Sequence, residues 1–238
     1  KKPVSYALSI IDKLDTLVGF YLINEKPTSS KDPFALRRAA IGLLRTIIEN
    51  NLTIKVRDLI DNSIKIYLEQ GVKQINKDVS KDLVKFFRDR MKNILKEKNI
   101  RTDIIEASVS SHLSDNFLEL YKKTMIMKKF ISKDLGKNAL STYKRASNIL
   151  EQEKILLKNG PDAVLFRHEE EKELFERINS IRKAFTLKEE KKNYEEHLKL
   201  LSDTKLSTDK FFDNVKVNDE NKDLKNNRLE LLQILCST

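Results

Sequence analysis

The sequence predicts an all-α chain built as helical bundle domains, and three observations carry that prediction. Apolar residues recur at three- and four-residue steps along nearly the whole chain, the period of a helix with one buried face. Glycine and proline are scarce, 5 and 4 in 238 residues, too few for the tight turns an all-β fold needs. No stretch alternates with period two for long enough to form a strand.

The first helix follows from Val4, Ala7, Leu8, Ile11, Leu14, Leu17, Val18 and Tyr21. Asn24 to Ser30, with Pro27, breaks the pattern. Asp32 then reads as an N-cap and Pro33 as a first helical residue, where a missing N–H costs nothing, so a second helix is expected from Pro33 to about Asn50. A third runs from Val56 to Glu69 and stops at Gly71, which tolerates positive φ. A fourth covers Val79 to Lys98, and a short fifth covers Asp103 to Val109. The polar break Ser110-Ser111-His112 separates two domains, residues 1–112 and 113–238. Beyond it a sixth helix starts behind a Ser114 cap and runs to about Ile131, and a seventh covers Leu135 to Glu153. Pro161 marks a loop from Asn159 to Val164. Helices resume at Glu169–Phe185, Lys188–Ser202, Thr208–Val215 and Asp219–Leu235.

Composition excludes several functional classes. The five glycines are scattered and form no phosphate-cradling loop. One cysteine, Cys236, excludes a disulfide framework and suits a reducing cytoplasm, and it has no activating neighbour. His112, His168 and His197 lie far apart, against an all-protein metal centre, and solvent-exposed roles are expected for His168 and His197. No apolar run approaches the ~20 residues of a membrane span, and no leader with a cleavage site appears. The chain begins without methionine inside an apolar-periodic run, as expected of a fragment.

The net charge is +10, which points to a polyanionic partner. Part of that excess has a bland origin: 34 Lys, 18 Asn and 22 Ile are residues with A/T-rich codons. The distribution is more telling. Residues 120–158 carry ten Lys/Arg against three Asp/Glu, whereas residues 159–238 carry fifteen against seventeen. A cationic pair of consecutive helices is the footprint of a phosphate-tracking surface, and charge used only to solvate helix faces is the alternative.

Five segments carry a family resemblance. The segments Asp12-Lys13-Leu14-Asp15-Thr16-Leu17-Val18-Gly19-Phe20 and Glu25-Lys26-Pro27 through Asp32-Pro33-Phe34-Ala35-Leu36-Arg37-Arg38-Ala39-Ala40-Ile41-Gly42 are highly specific. Tyr143-Lys144-Arg145-Ala146-Ser147-Asn148-Ile149-Leu150 follows, then Phe211-Phe212-Asp213-Asn214-Val215-Lys216-Val217 and Asn227-Arg228-Leu229-Glu230-Leu231-Leu232. Together they resemble the β subunit of bacterial glycyl-tRNA synthetase, over essentially the whole chain. The main departure is Ser29, where the family usually has glycine.

The resemblance implies an α2β2 ligase whose α subunit attaches glycine to tRNA(Gly) using ATP with magnesium. This chain would be the C-terminal part of the β subunit, the end of an HD-like helical domain followed by a helical anticodon-binding domain. It would hold no cofactor and no catalytic residue itself. Its partners would be tRNA(Gly) and the α subunit, in the cytoplasm and without a membrane. An HD-type metal-dependent phosphohydrolase fragment and a purely structural helical module are the alternatives.

Asp12 aligns with the last aspartate of an HD metal motif, but the histidine partners would lie upstream, so Asp12 and Asp15 read as helix-surface or capping groups. Arg37, Arg38 and Arg45 stand out where Lys outnumbers Arg almost three to one, because the guanidinium fork serves bidentate contacts that Lys cannot make. Their options are tRNA phosphate, a carboxylate such as Asp12, Asp15 or Asp32, or the other subunit. Lys144, Arg145 and Asn148 share one helix and suit phosphate, stacking and base-edge contacts to an unpaired anticodon loop. Lys137 and Tyr143 add a phosphate contact and a stacking face. Asn227 and Arg228 are candidates either for tRNA or for tying the last helix to the bundle. The acidic run Glu169-Glu170-Glu171-Lys172-Glu173 suits a solvated helix start facing away from RNA.

Overall fold

The structure is a computed structural model describing residues 3–28, 30–111, 114–153, 160–188 and 194–237. The regular elements of the described residues are all helices, without strands, and none of these helices is long and apolar enough to cross a membrane. The chain forms two compact units, Lys1–Lys128 and Lys129–Thr238.

The first unit holds α1 (Pro3–Leu22), α2 (Leu36–Glu49), α3 (Val56–Glu69), α4 (Val79–Glu97), α5 (Thr102–Ser111) and most of α6 (Phe117–Ile131). α1 packs on α2, α3 and α4. Leu14, Leu17, Val18 and Leu22 of α1 are buried, as are Leu43, Leu44 and Ile47 of α2 and Ile60, Leu83, Phe87 and Met91. Each such side chain contributes about 1.5–3 kcal/mol by leaving water. The apolar spacing read from the sequence is therefore the core-facing face of each helix.

Tertiary hydrogen bonds move several ends. α2 begins at Leu36, because Ala35 adopts a left-handed conformation (φ 54°) that ends the preceding turn. Pro33 lies in that turn, outside the helix. Asp32 still caps: its Oδ1 accepts from Leu36 N at 2.8 Å and its Oδ2 from Arg37 N at 3.1 Å. α5 continues through Ser110 and Ser111, whose hydroxyls donate to the carbonyls of Ala107 and Ser108. Asn116, not Ser114, caps α6, its Oδ1 accepting from Glu119 N at 3.1 Å. Ser29, His112 and Asn159 lie outside the described residues.

The division between units falls inside α6, later than the polar break at Ser110–Ser114. The start of α6 belongs to the first core: Phe117 packs on Phe87 with ring centroids 5.9 Å apart. Just before it, the Asp115 carbonyl accepts from Val56 N at 3.2 Å and the Asp115 carboxylate pairs with Arg57 at 2.6 Å.

The second unit holds α7 (Asp134–Glu153), a 3-10 turn (Ala163–Leu165), α8 (Glu169–Lys188), α9 (Tyr194–Ser202), α10 (Lys205–Asn214) and α11 (Lys222–Cys236). Its core joins Ala146 of α7, Leu174 and Ile178 of α8, Phe211 of α10 and Leu231, Leu232 and Leu235 of α11. α8 runs past Phe185, and α10 starts three residues earlier than its apolar spacing indicates. α11 starts after Asn221, whose side chain accepts from Asp223 N and Leu224 N.

Candidate nucleic-acid interface

The seventh helix presents the expected cationic surface. Its buried side is formed by Thr142 and Ala146. Residues advance about 100° each around a helix, so Lys137, Lys144 and Asn148 fall in one row on the opposite side, with Arg145 on its flank. Lys144, Arg145 and Asn148 are exposed, and no polar partner occupies them among the described residues. Lys137 is exposed and pairs with Asp134 at 3.0 Å, an i,i+3 pair that water screens. Tyr143 is 49 % exposed, but it lies two residues, and so some 200°, from Arg145. It is not part of the row, and the stacking face expected from it is supplied elsewhere.

That face is Phe212. The Arg145 guanidinium lies over its ring, 4.2 Å from the centroid. Phe211 points into the core while its neighbour Phe212 packs only partly against it. The two rings meet edge-on at 64°, so the core fixes the platform on which Arg145 rests. A guanidinium held on one ring keeps its other face and its N–H edge available, which removes rotamer entropy from any later contact. Phe212 belongs to a Phe-Phe pair in the sequence, but adjacency alone does not show which ring turns outward or what sits on it.

Other lysines of the cationic stretch are partly spent. Lys123 pairs with Glu119 and Lys129 with Glu195, and Lys128 donates to the Lys98 carbonyl at 2.7 Å. Lys144 and Arg145 have no such ionic or backbone partner among the described residues.

Arg228, a candidate for tRNA contact from the sequence, is not on the surface. It is 2 % exposed. Its Nε donates to Glu171 at 2.8 Å, and its Nη1 to the Lys216 carbonyl at 2.9 Å and to Asp219 at 2.7 Å. Glu171, the middle of the acidic run, is equally buried and also accepts from Arg167 N and His168 N at 2.7 and 2.8 Å. Burial pushes the Glu171 carboxyl up, but Arg228 and these two N–H groups outweigh it and hold it below its ordinary value. The acidic run is thus not wholly solvated: one of its members is the anchor of the last helix. Asn227 makes a reciprocal pair with the backbone of Asp162, accepting from its N–H at 2.6 Å and donating to its carbonyl at 3.0 Å. Both residues act as ties within the unit, and burial of Arg228 leaves no guanidinium face for phosphate.

In the first unit the three arginines separate. Arg37 donates to the Thr28 carbonyl and lies 4.0 Å from Asp32, a bracing role for the turn before α2. Arg38 is exposed with no partner among the described residues. Arg45 pairs with Glu97 at 2.6 Å on the surface. Asp12 is exposed, and no group of three or more potential metal ligands occurs among the described residues. His168 is exposed; His197 instead packs on Phe185, ring centroids 4.5 Å apart. Burial pushes the Cys236 thiol up, away from the reactive thiolate.

Comparison with known proteins covers both units. Residues 1–110 match the family model of the glycyl-tRNA synthetase beta subunit, and residues 139–238 that of the DALR anticodon binding domain. A glycine–tRNA ligase beta subunit of Rickettsia africae (strain ESF-5) is 40 % identical over 230 residues, 96 % of this chain and 33 % of the relative. That of Ruegeria sp. (strain TM1040) is 34 % identical over 235 residues, 97 % of this chain and 33 % of the relative. The chain spans about a third of the length of these relatives. With both units matched in order, the chain belongs to the glycyl-tRNA synthetase beta subunit family and carries that subunit's C-terminal region, a DALR anticodon binding domain included.

Proposed function

We propose that this chain is the tRNA-recognition portion of the β subunit of a heterotetrameric α2β2 glycine–tRNA ligase, acting in the cytoplasm. It supports ATP-dependent attachment of glycine to tRNA(Gly) by binding the anticodon arm and takes no part in bond chemistry. ATP and its magnesium are used on the α subunit, the other protein partner. The observation that carries this reading is the Arg145 guanidinium seated on Phe212 beside unoccupied Lys144 and Asn148, within the residues that match an anticodon binding domain.

The mechanism follows from those groups. Anticodon loops are single-stranded, so their bases can leave the stack and meet a protein surface. An unstacked base lies on the free face of the Arg145 guanidinium, extending the stack that begins at Phe212. Asn148, with a donor and an acceptor on one amide, pairs with a base edge. Lys144 and Lys137 neutralise flanking phosphates and release counterions.

The test is a filter-binding titration of the chain against tRNA with a glycine anticodon and the same tRNA with its anticodon changed. The glycine form is expected to bind more tightly. Arg145→Ala is expected to lose about tenfold, the worth of one stacked base, whereas Arg167→Ala is expected to change little. Equal affinity for the two tRNAs refutes base reading, and equal effects of the two substitutions remove Arg145 from the interface.

A further inference from the structure

A second set of groups with RNA-binding chemistry lies in the first unit, along the groove between α1 and α2. At one end Phe20 and Phe34 stack with centroids 3.9 Å apart and planes 20° from parallel. Phe34 remains 42 % exposed, so its outer face is open. Four residues on in the chain, past the left-handed Ala35 and within α2, stands Arg38, exposed and without a partner among the described residues. One turn on is Gly42. A Cβ there would meet Lys13 Cε at 2.9 Å and Cδ at 3.3 Å, so the lysine stem lies close against α2 at this glycine. The Lys13 ammonium is steadied by Ser9, donating to its Oγ at 2.8 Å and its carbonyl at 3.2 Å. Arg45 completes the row about 10 Å beyond Arg38 at 1.5 Å of rise per residue.

Carboxylates accompany this row: Asp12 is exposed on α1 and directly precedes Lys13 in the chain. Asp15 lies on the flank of α1 that faces α3, where its carbonyl accepts from Tyr67 Oη at 3.2 Å. The carboxylates at the Arg45 end are Glu97, paired with Arg45, and Glu49, four residues on from Arg45. The Arg45–Glu97 pair is exposed on both sides, and such a pair is exchanged for a phosphate at little cost.

We propose that this groove binds the sugar–phosphate backbone of RNA, with Arg38, Lys13 and Arg45 on phosphates and one unstacked base against Phe34. The identity of that RNA as tRNA rests on the proposed function above. Three cations together with an open aromatic stack suit the backbone and unstacked bases of single-stranded nucleic acid. An acidic protein surface needs the cations but has no use for the exposed ring. Backbone contacts carry no sequence information, so this groove adds affinity and α7 adds discrimination.

The experiment measures binding of the 238-residue chain to the two tRNAs above across a salt series. Arg38→Gln combined with Arg45→Gln is expected to weaken both tRNAs alike, by about tenfold, and to make the log–log salt slope shallower by about 1.5. Glu97→Gln frees Arg45 and is expected to tighten both about twofold, the fold-change worth of an exposed pair. A gain of this kind cannot come from misfolding. If the double variant and Glu97→Gln leave affinity and slope unchanged while Arg145→Ala still weakens binding, the groove is refuted and the anticodon reading stands. If the double variant weakens both tRNAs while Arg145→Ala does nothing, the groove stands and the α7 reading falls. Loss of binding to the isolated α subunit with tRNA affinity unchanged also refutes the groove, as a protein contact.

Discussion

Replacing Arg228 with methionine tests the assignment of this residue as a tie. The substitution keeps much of the apolar stem but removes the guanidinium from a site where Arg228 and Glu171 are 2 % and 1 % exposed. Breaking a buried pair by removing one partner costs about 3–5 kcal/mol, because the remaining charge is left without its counter-ion. Glu171 keeps two backbone donors, Arg167 N and His168 N, so the lower end applies, about 3 kcal/mol. For a unit of this size one kcal/mol moves Tm by about 4 °C, giving a loss of about 12 °C. The loss also depends on pH. The Glu171 carboxyl lies below its ordinary 4.5 in the folded chain, so its contribution is fully present above that value and fades as pH falls through the lower folded value. Without Arg228 the two backbone donors alone oppose burial, and that benefit shrinks. The gap in Tm between wild type and variant is therefore widest near neutral pH and narrows below about pH 4.5. Differential scanning calorimetry at several pH values gives both quantities. A Tm loss under about 4 °C, together with tenfold weaker tRNA binding by a fully folded variant, refutes the argument and returns Arg228 to the RNA surface.

Two further substitutions probe how the elements are held. Asp32→Ala removes the acceptors of Leu36 N and Arg37 N and is expected to destabilise the first unit by about 1–2 kcal/mol in urea titration; no change in midpoint means that water replaces the cap. Gly136→Ala places a methyl 2.2 Å from the Phe130 carbonyl oxygen and 2.7 Å from Ile131 Cα, both backbone. The corner between α6 and α7 has to open, at a cost of about 2 kcal/mol or more, and an unchanged Tm contradicts that close approach.

Most of the helical architecture is legible in the sequence because each helix buries one face, and Leu14, Leu17, Leu44 and Phe87 announce that face by their spacing. Ends are less legible because they depend on partners far along the chain or on a single backbone angle. Nothing local marks Ala35 as left-handed, or Asn116 rather than Ser114 as the cap of α6. The same division holds for the candidate interface. Lys144, Arg145 and Asn148 are readable as an exposed polar row, since helix periodicity alone separates them from Ala146. Phe212 under Arg145 is not readable, because it arrives from a helix more than sixty residues later. Arg228 shows the opposite difficulty: an arginine in a basic chain looks like an RNA contact until its burial between Glu171 and Asp219 is seen.

Asn227 and Arg228 also set the order in which the second unit can be completed during synthesis. Asn227 fastens the backbone of Asp162 and Arg228 neutralises Glu171, positions 65 and 57 residues earlier. Until residue 228 has emerged from the ribosome, Glu171 has no guanidinium to meet and the loop at Asp162 has no clasp. Leu231, Leu232 and Leu235 arrive later still and close the core. Domains acquire their structure as they leave the ribosome, and here the closing elements come last. A nascent chain cut short before α11 therefore exposes the faces of α7, α8 and α10 meant for it. Incomplete products leave core leucines and phenylalanines unburied, and only chains carrying α11 present the Arg145–Phe212 platform on a closed core.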